Sequence, residues 1–149
     1  MAFDMAIEIN PQLADAWIGK GTAFYHQGKY ADALQAANKA IQLDSKNATA
    51  WHNQGTALFK LGNYNAAIRA YDETIKLDSK LAEAWSAKGT ALIGLGKYTE
   101  AIQAYDEAIK LNPEYADAWN LKSMVLKKIG SIVEADAAHA KARELGFKG

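Results

Sequence analysis

Four tryptophans recur at a fixed interval along this chain of 149 residues. Trp17, Trp51, Trp85 and Trp119 are each separated by 34 residues, a regularity that chance does not produce. Self-similarity at a period of about 20 to 50 residues is typical of repeat proteins, in which each repeat is one supersecondary unit stacked on its neighbours. The interval therefore predicts an array of four similar units.

Small and aromatic residues keep the same register as the tryptophans. They are Gly21, Gly55 and Gly89; Gly28, Gly62, Gly96 and Gly130; Tyr30, Tyr64 and Tyr98; and Ala33, Ala67, Ala101 and Ala135. Within one repeat, Trp51, Gly55 and Leu58 lie three or four residues apart, which is the spacing of one helix face. This face predicts a first helix, helix A, and a second face of the same kind after Gly62 predicts helix B.

The pattern resembles the tetratricopeptide repeat. With Ala14 counted as repeat position 1, tryptophan stands at position 4, glycine at 8 and alanine at 20, with Tyr71 and Tyr105 at 24 and Pro113 at 32. The departures are Lys20, Gln54, Lys88 and Lys122 at position 7, where the family usually has leucine, and Ser45 and Ser79 in place of the final proline. The resemblance implies an all-α fold, a right-handed α-solenoid of antiparallel helix pairs.

The register divides the chain into repeats at residues 14–47, 48–81, 82–115 and 116–149, which we expect to form one structural domain. The fourth repeat drifts most, with Ser123, Ile132 and His139 at patterned positions, and is expected to act as the C-terminal cap. Residues 1–13 fit half a repeat, because AFDMAIEINP aligns with AYDEAIKLNP at 104–113.

This half-repeat is predicted to be the helix B of a truncated preceding repeat. Phe3, Ala6 and Ile7 are expected to pack on helix A of repeat 1, and a longer parent protein is expected to continue upstream. Its apolar end would be open to a second molecule, so a homo-oligomer through the N-terminal half-repeat is one of the expected partnerships.

A helical wheel separates two sides of helix A, with positions 4, 8 and 11 on one side and positions 2, 5, 9, 12 and 13 on the other. In the family that this chain resembles, the second side lines a concave groove that takes an extended or helical peptide. The candidate groove residues are Asp15, Ile18, Thr22, Tyr25, Thr49, His52, Asn53, Thr56, Phe59, Glu83, Ser86, Thr90, Ile93, Asp117 and Asn120.

Several of these candidates have a structural interpretation beside the functional one. Acidic residues at position 2 lie in the first helical turn, where the backbone dipole favours negative charge whether or not anything binds. Threonines at position 9 could donate to a peptide, but a threonine bonded to its own helix is the favoured interpretation. Tyr25, Phe59 and Ile93 could form a binding stripe or pack between adjacent A helices. The tryptophan and tyrosine ladders match core positions and are assigned no ligand.

One family subtype grips acidic C-terminal tails with a clamp of lysine, asparagine and arginine side chains. At the five corresponding positions this chain has Ile18, Thr22, Asn53, Glu83 and Ala87, so that only Asn53 matches. Binding of such tails is therefore not expected. The acidic residues at position 2 suit a ligand with a basic group beside apolar side chains.

The bulk composition excludes several classes of function. Seventeen basic residues balance seventeen acidic ones, so neither nucleic acid nor a membrane is expected as a partner, and no cysteine is present. There is no apolar run of about 18 residues, which predicts a soluble, cytoplasmic protein.

Catalysis is not expected either. His26 and His52 would stand about 12 Å apart along the helix axis, too far to share a metal, and no phosphate-binding glycine loop is present. We therefore expect a protein-protein interaction module without cofactor or metal that binds a protein or peptide. The alternatives are a structural scaffold or self-assembling solenoid and, disfavoured by neutrality, an RNA-binding helical repeat.

Overall fold

A computed structural model describes residues 2–148 of the chain, so Met1 and Gly149, the ends of the first and last predicted segments, lie outside the described residues. The described residues form nine α-helices and no strand, which confirms the predicted all-α class. They are α1 (Ala2–Ile9), α2 (Ala14–His26), α3 (Tyr30–Leu43), α4 (Ala48–Lys60), α5 (Tyr64–Leu77), α6 (Ala82–Gly94), α7 (Tyr98–Leu111), α8 (Ala116–Lys128) and α9 (Ile132–Glu144).

Each helix A ends at a glycine in the left-handed conformation. After α2, Gly28 has φ of 74°, its amide donates to the Tyr25 carbonyl at 2.9 Å, and the Lys29 amide donates to the Phe24 carbonyl at 2.9 Å. This pair of bonds satisfies the last carbonyls of the helix and requires a positive φ that only glycine adopts without strain. The chain reverses within three residues, so α2 and α3 form an antiparallel pair.

The tryptophan at position 4 fastens helix A to the loop before it. The indole Nε1 of Trp17, Trp51 and Trp119 donates to a backbone carbonyl six residues earlier, at 3.1, 2.9 and 3.0 Å. For Trp51 that acceptor is the carbonyl of Ser45, one of the residues that replaces the expected proline. Because a backbone carbonyl accepts the bond, the serine serves as well as proline, and the structural interpretation of these three tryptophans is confirmed.

The helices fall into two compact units. Unit 1 runs to Ser79 and unit 2 begins at Lys80. In unit 1, α1 packs on α2, and α2 to α5 pack in sequence, with α2 also contacting α4; in unit 2, α6 to α9 pack in sequence, with α6 also contacting α8. The expectation that all four repeats form one domain stays a prediction.

Small residues fill the core of both units. The fully buried positions are mostly alanines, among them Ala40, Ala50, Ala57 and Ala67 in unit 1 and Ala84, Ala91, Ala101 and Ala118 in unit 2. Alanine favours the helix and lets adjacent helices approach closely. Two larger buried side chains, Tyr71 and Tyr105, lie against glycines, namely Gly55 and Gly89.

Lysine at position 7, where the family usually has leucine, has a polar role in these helices. The Lys20 ammonium lies 2.8 Å from a carboxylate oxygen of Asp4 on α1 and 5.5 Å from the centre of the Trp17 ring. In unit 2, Lys122 lies 2.6 Å from Asp106 and 5.8 Å from the Trp119 ring. Each ammonium therefore contacts a carboxylate of the helix that precedes helix A and also lies within reach of a cation–π interaction with the tryptophan.

The N-terminal helix α1 packs on α2, and its assignment as the helix B of a preceding repeat stays a prediction. The ring of Phe3 lies against α2 so closely that a side chain at Gly19 would collide with it. Met5 and Ile9, by contrast, are 63% and 83% exposed. The half-repeat thus covers α2 with one face and leaves a second apolar face open.

Candidate functional site

A pocket of about 150 Å³ lies in unit 1 among α2, α3 and α4. Its lining residues are Gly21, Thr22, Tyr25, His26, Ala33, His52, Asn53 and Thr56. Five of the predicted groove residues thus come together, namely Thr22, Tyr25, His52, Asn53 and Thr56. Sequence reasoning had placed His26 on the same side of its helix without selecting it, and it had treated Gly21 and Ala33 only as packing positions.

The threonine hydroxyls at position 9 are bonded within their own helices. Thr22 donates to the Ile18 carbonyl at 3.1 Å, Thr56 to the His52 carbonyl at 2.9 Å and Thr90 to the Ser86 carbonyl at 3.1 Å. The favoured interpretation of these threonines as self-satisfied is confirmed. A hydroxyl that has given away its only hydrogen offers a ligand no donor.

Asn53 links two helices at the wall of the pocket. Its Nδ2 donates to the Thr22 hydroxyl at 3.2 Å, across from α4 to α2. In the chaperone-tail clamp this asparagine would contact the ligand. Here one of its amide hydrogens instead holds the two A helices in register.

The aromatic residues at position 12 pack on helix B of their own repeat. The rings of Tyr25 and Tyr30 lie 5.5 Å apart, and the rings of Phe59 and Tyr64 also lie 5.5 Å apart, both pairs tilted by just over 50°. Each pair joins the end of a helix A to the start of the helix B that follows it. Tyr25 and Phe59 therefore pack within their own repeats and remain partly exposed, and their role in a binding stripe stays a prediction.

In repeats 2 and 3, a tyrosine at position 24 of helix B covers the glycine at position 8 of helix A. A Cβ at Gly55 would lie 2.6 Å from Tyr71 Cε1, and one at Gly89 would lie 2.9 Å from Tyr105 Cε1. The Tyr71 hydroxyl donates to Thr56 at 3.4 Å, while the Tyr105 hydroxyl lies 3.0 Å from that of Thr90. Burial raises the pKa of both phenols to about 12, and the threonine bonds oppose that rise.

Repeat 1 has Ala37 at this position, and no ring covers its glycine. The atoms nearest to a Cβ at Gly21 would be the Ala33 carbonyl oxygen and the Ala36 Cβ, both at 3.4 Å. The pocket adjoins Gly21 and Thr22, the two positions that tyrosine covers in the later repeats. The signal was in the sequence, because an alanine interrupts the aromatic series at position 24.

The other predicted groove residues lie outside this pocket. Asp15, Thr49, Glu83 and Asp117 are exposed in the first turns of their helices, whereas Ile18, Phe59, Thr90, Ile93 and Asn120 are half-buried. Ser86 is buried, which removes it from the residues that a ligand could touch directly. Its hydroxyl is a hydrogen-bond partner of the Tyr115 phenol, whose pKa is raised by burial and lowered in part by this bond.

Unit 2 has its own pocket, of about 220 Å³, between α8 and α9. It is lined by Asn120, Ser123, Met124, Lys127, Ala135, Asp136 and His139. Of these, only Asn120 was among the predicted groove residues. Lys127 and Asp136 give this pocket charged walls, whereas no carboxylate lines the pocket of unit 1.

Two wider depressions lie on the opposite side of helix A, one in each unit. The first is lined by Trp51, Gln54 and Leu58 with residues of α5, and the second by Trp85, Lys88 and Leu92 with residues of α7. Arg69, Asp72 and Glu73 line the first, and Glu100 and Glu107 line the second. These are shallow surfaces of charged side chains over the tryptophans, and they are less suited to hold a small apolar group.

Within residues 2–148, no three histidine, cysteine or acidic side chains are grouped so that they could hold a metal ion. None of the described helices has the length and apolar character needed to cross a membrane.

Three family models match the chain, and all three describe the tetratricopeptide repeat. A model described as tetratricopeptide repeat matches residues 48–81 and 82–115, one described as TPR repeat matches residues 21–62, and another described as tetratricopeptide repeat matches residues 2–35. The chain belongs to the tetratricopeptide repeat family. The last match includes α1. No curated protein sequence matches the chain.

Solved structures of similar fold include three with informative descriptions. A crystal structure of MamA is 26% identical, covers 97% of this chain and 84% of its own, and has a TM-score of 0.88. A crystal structure of YrrB, described as a TPR protein with an unusual peptide-binding site, is 25% identical, with coverage of 98% and 75% and a TM-score of 0.82. The first TPR of Spaghetti (RPAP3), bound to an HSP90 peptide, is 26% identical, with coverage of 79% and 94% and a TM-score of 0.76.

Proposed function

We propose that this tetratricopeptide repeat protein is a peptide-binding module whose partner contacts the groove face. The groove face is the side of the A helices that carries repeat positions 2, 5, 9, 12 and 13. The observation that carries the proposal is the pocket in unit 1, where four residues predicted from the helical wheel come together around one cavity with Asn53, at repeat position 6. Concave sites with mainly apolar walls and a few polar groups are where proteins bind ligands.

Two of the similar structures support a peptide as the ligand. YrrB is described as a TPR protein with an unusual peptide-binding site, and the first TPR of Spaghetti is bound to an HSP90 peptide. The ligand of this chain is not proposed to be an acidic tail of that kind. Four of the five clamp positions lack the required side chain, and the remaining one, Asn53, is bonded to Thr22.

Charge also favours a peptide over a nucleic acid. The chain carries no net charge, so it lacks the positive field that draws phosphate backbones. The Lys60 ammonium lies 6.0 Å from the centre of the Tyr25 ring, at the edge of the unit 1 pocket. We therefore propose a ligand that places an apolar side chain, rather than a basic one, in this pocket.

A peptide array tests the proposal by comparing the intact chain with a Tyr25→Ala, Phe59→Ala double variant. Leu77→Ala serves as the control, because Leu77 is an exposed apolar residue at the end of α5, away from the groove face. The double variant is expected to lose the peptides that the intact chain and the control retain. If all peptides survive in the double variant, the groove face of unit 1 is not the binding surface.

A variant of Glu83 tests whether the groove face of unit 2 also contacts the peptide. It is exposed in the first turn of α6, where it could meet a basic group of a ligand. Glu83→Gln keeps the size of the side chain and removes its charge, so it is expected to weaken only those peptides that carry lysine or arginine. An equal loss across all peptides would contradict a charge-based role.

Self-association is a second candidate function, and it is favoured by the open face of α1. Met5 and Ile9 are apolar and mostly exposed, and a second molecule could cover them. Sedimentation at increasing protein concentration should then show a larger species that Met5→Ser, Ile9→Ser abolishes. A single species at all concentrations would exclude this surface as an assembly contact.

A further inference from the structure

The pocket in unit 1 adjoins Gly21 and Thr22, and repeat 1 has Ala37 at the position where repeats 2 and 3 have a tyrosine. We propose that this pocket accepts an aromatic side chain, the phenyl or phenol ring of a peptide partner, an assignment that rests on the peptide-binding function proposed above. The partner would supply the ring that repeats 2 and 3 carry themselves.

The later repeats show what fits in this space. Tyr71 and Tyr105 are 2% and 0% exposed, and each ring covers the glycine at position 8 of its own helix A. Repeat 1 keeps that glycine, as Gly21, but has Ala37 in place of the tyrosine. The rings of Tyr71 and Tyr105 would collide with a Cβ at position 8, whereas at Gly21 the nearest atoms, the Ala33 carbonyl oxygen and the Ala36 Cβ, lie 3.4 Å away.

Phe3 in α1 shows that a ring at position 24 can also contact the helix A that follows it. Phe3, which stands at position 24 of the preceding half-repeat, lies against Gly19, at position 6 of the following helix A. A ring at position 24 thus reaches the following helix A as well as its own. The corresponding residue opposite Ala37 is Asn53, and it lines the pocket. Position 8 of one helix and position 6 of the next therefore border the same cavity.

The chemistry of the walls also selects a ring. Gly21, Ala33 and the Tyr25 ring are apolar, and no charged side chain lines the pocket at neutral pH apart from any charge on its two histidines. A buried ammonium would find no carboxylate among the lining residues, so its burial would be unfavourable. The Thr22 hydroxyl already donates to Ile18 and accepts from Asn53. The ring edge can pack against the Tyr25 and His26 rings, which themselves meet edge to face at 5.7 Å.

The experiment uses p-cresol, the free side chain of tyrosine, as a probe of the full chain. Its binding is followed by the NMR shifts of the Gly21 and Ala33 amides, with 4-methylcyclohexanol as a non-aromatic probe of similar size. We expect saturable shifts with p-cresol in the millimolar range and binding of the control probe weaker by about tenfold. Equal affinity for the two probes, or no shift with p-cresol at about 10 mM, would overturn the proposal.

The decisive variant is Ala37→Tyr, which restores the ring from within the chain. It is expected to raise Tm, because a cavity is filled, and to weaken p-cresol binding by at least about tenfold. Ala31→Tyr is the matched control, because it adds the same ring at an exposed position of α3 and should leave p-cresol binding unchanged. Unchanged affinity in a folded Ala37→Tyr protein would overturn the proposal.

A second variant covers the case in which Ala37→Tyr does not fold. Ala37→Leu fills part of the cavity with a smaller side chain, and it should weaken p-cresol binding in a folded protein. If p-cresol binding is the same as in the intact chain, the ring does not occupy this space and the proposal falls.

The peptides found on the array separate this inference from the function on which it rests. Peptides that need Tyr25 and Phe59 but tolerate replacement of their own aromatic residues by alanine would overturn the aromatic pocket and leave peptide binding standing. Binding of p-cresol by a chain that binds no peptide would overturn the peptide function, while the preference of the pocket for a ring would remain. Loss of peptide binding both in Ala37→Tyr and on removal of the peptide's aromatic residue would support both.

Discussion

Gln54 donates a 2.7 Å hydrogen bond to the Asn38 side chain, joining α4 to the preceding helix B at the place where Lys20 meets Asp4 one repeat earlier. The two pairs occupy repeat positions 7 and 25. The helix A of repeat 1 is joined to the preceding helix by the ion pair Lys20–Asp4, and the helix A of repeat 2 by the amide pair Gln54–Asn38. Both residues of the pair therefore differ between the two repeats. In unit 2 the corresponding pair is again ionic, with Lys122 beside Asp106.

This relationship predicts that the pair can be exchanged as a unit. Asn38→Asp with Gln54→Lys should retain the free energy of unfolding to within about 0.5 kcal/mol, because it installs the pair of repeat 1. Asn38→Lys with Gln54→Lys places two ammonium groups together and should cost about 0.5 to 1 kcal/mol. Urea unfolding measures both. The difference should shrink at about 1 M salt, and two variants of equal stability at low salt would contradict the pairing.

The glycines at position 8 differ in what lies over them. Gly55→Ala should destabilise the protein by about 1 to 3 kcal/mol, because its new Cβ would lie 2.6 Å from the Tyr71 ring. Gly21→Ala meets only contacts of 3.4 Å or more, so the gain in helix propensity should leave it neutral or up to about 1 kcal/mol more stable. Each variant is the control for the other in thermal or urea unfolding. Equal effects would mean that the Tyr71 ring moves aside freely.

The register of the sequence predicted the helix pairs and the structural tryptophans, because both depend on contacts a few residues apart. The Trp17 indole reaches a carbonyl six residues earlier, and the glycine at Gly28 ends its own helix. Local rules of spacing and capping are sufficient for such features. The sequence also aligned residues 2–11 with the helix B segment at 104–113, although residues 2–11 contain no tryptophan.

The pocket could not be predicted in the same way. A helical wheel gives the direction of each side chain from one helix, but whether a residue is accessible depends on its neighbours in others. Ser86 is on the predicted face yet buried, with Tyr115 from the loop before α8 as its hydrogen-bond partner. The pocket is formed by residues of three helices, α2, α3 and α4, so no single helical wheel could locate it.

High pH should unfold the protein through its buried tyrosines. Burial raises the pKa of Tyr71 from 10.0 to about 12, so the folded state holds the phenol proton more tightly than the unfolded state. Its contribution is complete below pH 10 and is lost as the pH rises from about 10 to about 12, by about 2 to 3 kcal/mol at the upper limit. The same argument applies to Tyr105.

Unfolding followed by circular dichroism across this pH range measures the effect. Tyr71→Phe removes the titrating group and keeps the ring, so the variant should lose less stability between pH 10 and pH 12 than the intact chain does. Tyr64→Phe is the control, because Tyr64 is only half-buried in the pair with Phe59. If both variants follow the intact chain, the burial of the Tyr71 hydroxyl does not couple to stability.

Low pH should loosen α1 before it affects the other helices of unit 1. The hydrogen bond from Lys20 is the main reason that the pKa of Asp4 is lowered from 3.8 to about 2. A lowered pKa means that this pair stabilises the docked helix above about pH 4, and that the stabilisation is lost as the pH falls from about 4 to about 2. The pair is exposed to solvent, so the loss should be local rather than a collapse of the unit.

An NMR titration of the Asp4 and Gly19 amides measures this loosening, since the Phe3 ring beside Gly19 reports whether α1 is docked. Lys20→Met keeps much of the length of the side chain and removes the charge, so it should return the Asp4 midpoint towards 3.8. Gly19→Ala displaces the Phe3 ring without touching the ion pair. If Gly19→Ala undocks α1 at neutral pH while Lys20→Met does not, the aromatic contact holds the helix and the ion pair only adjusts it. The reverse result would make electrostatics the main attachment of the half-repeat.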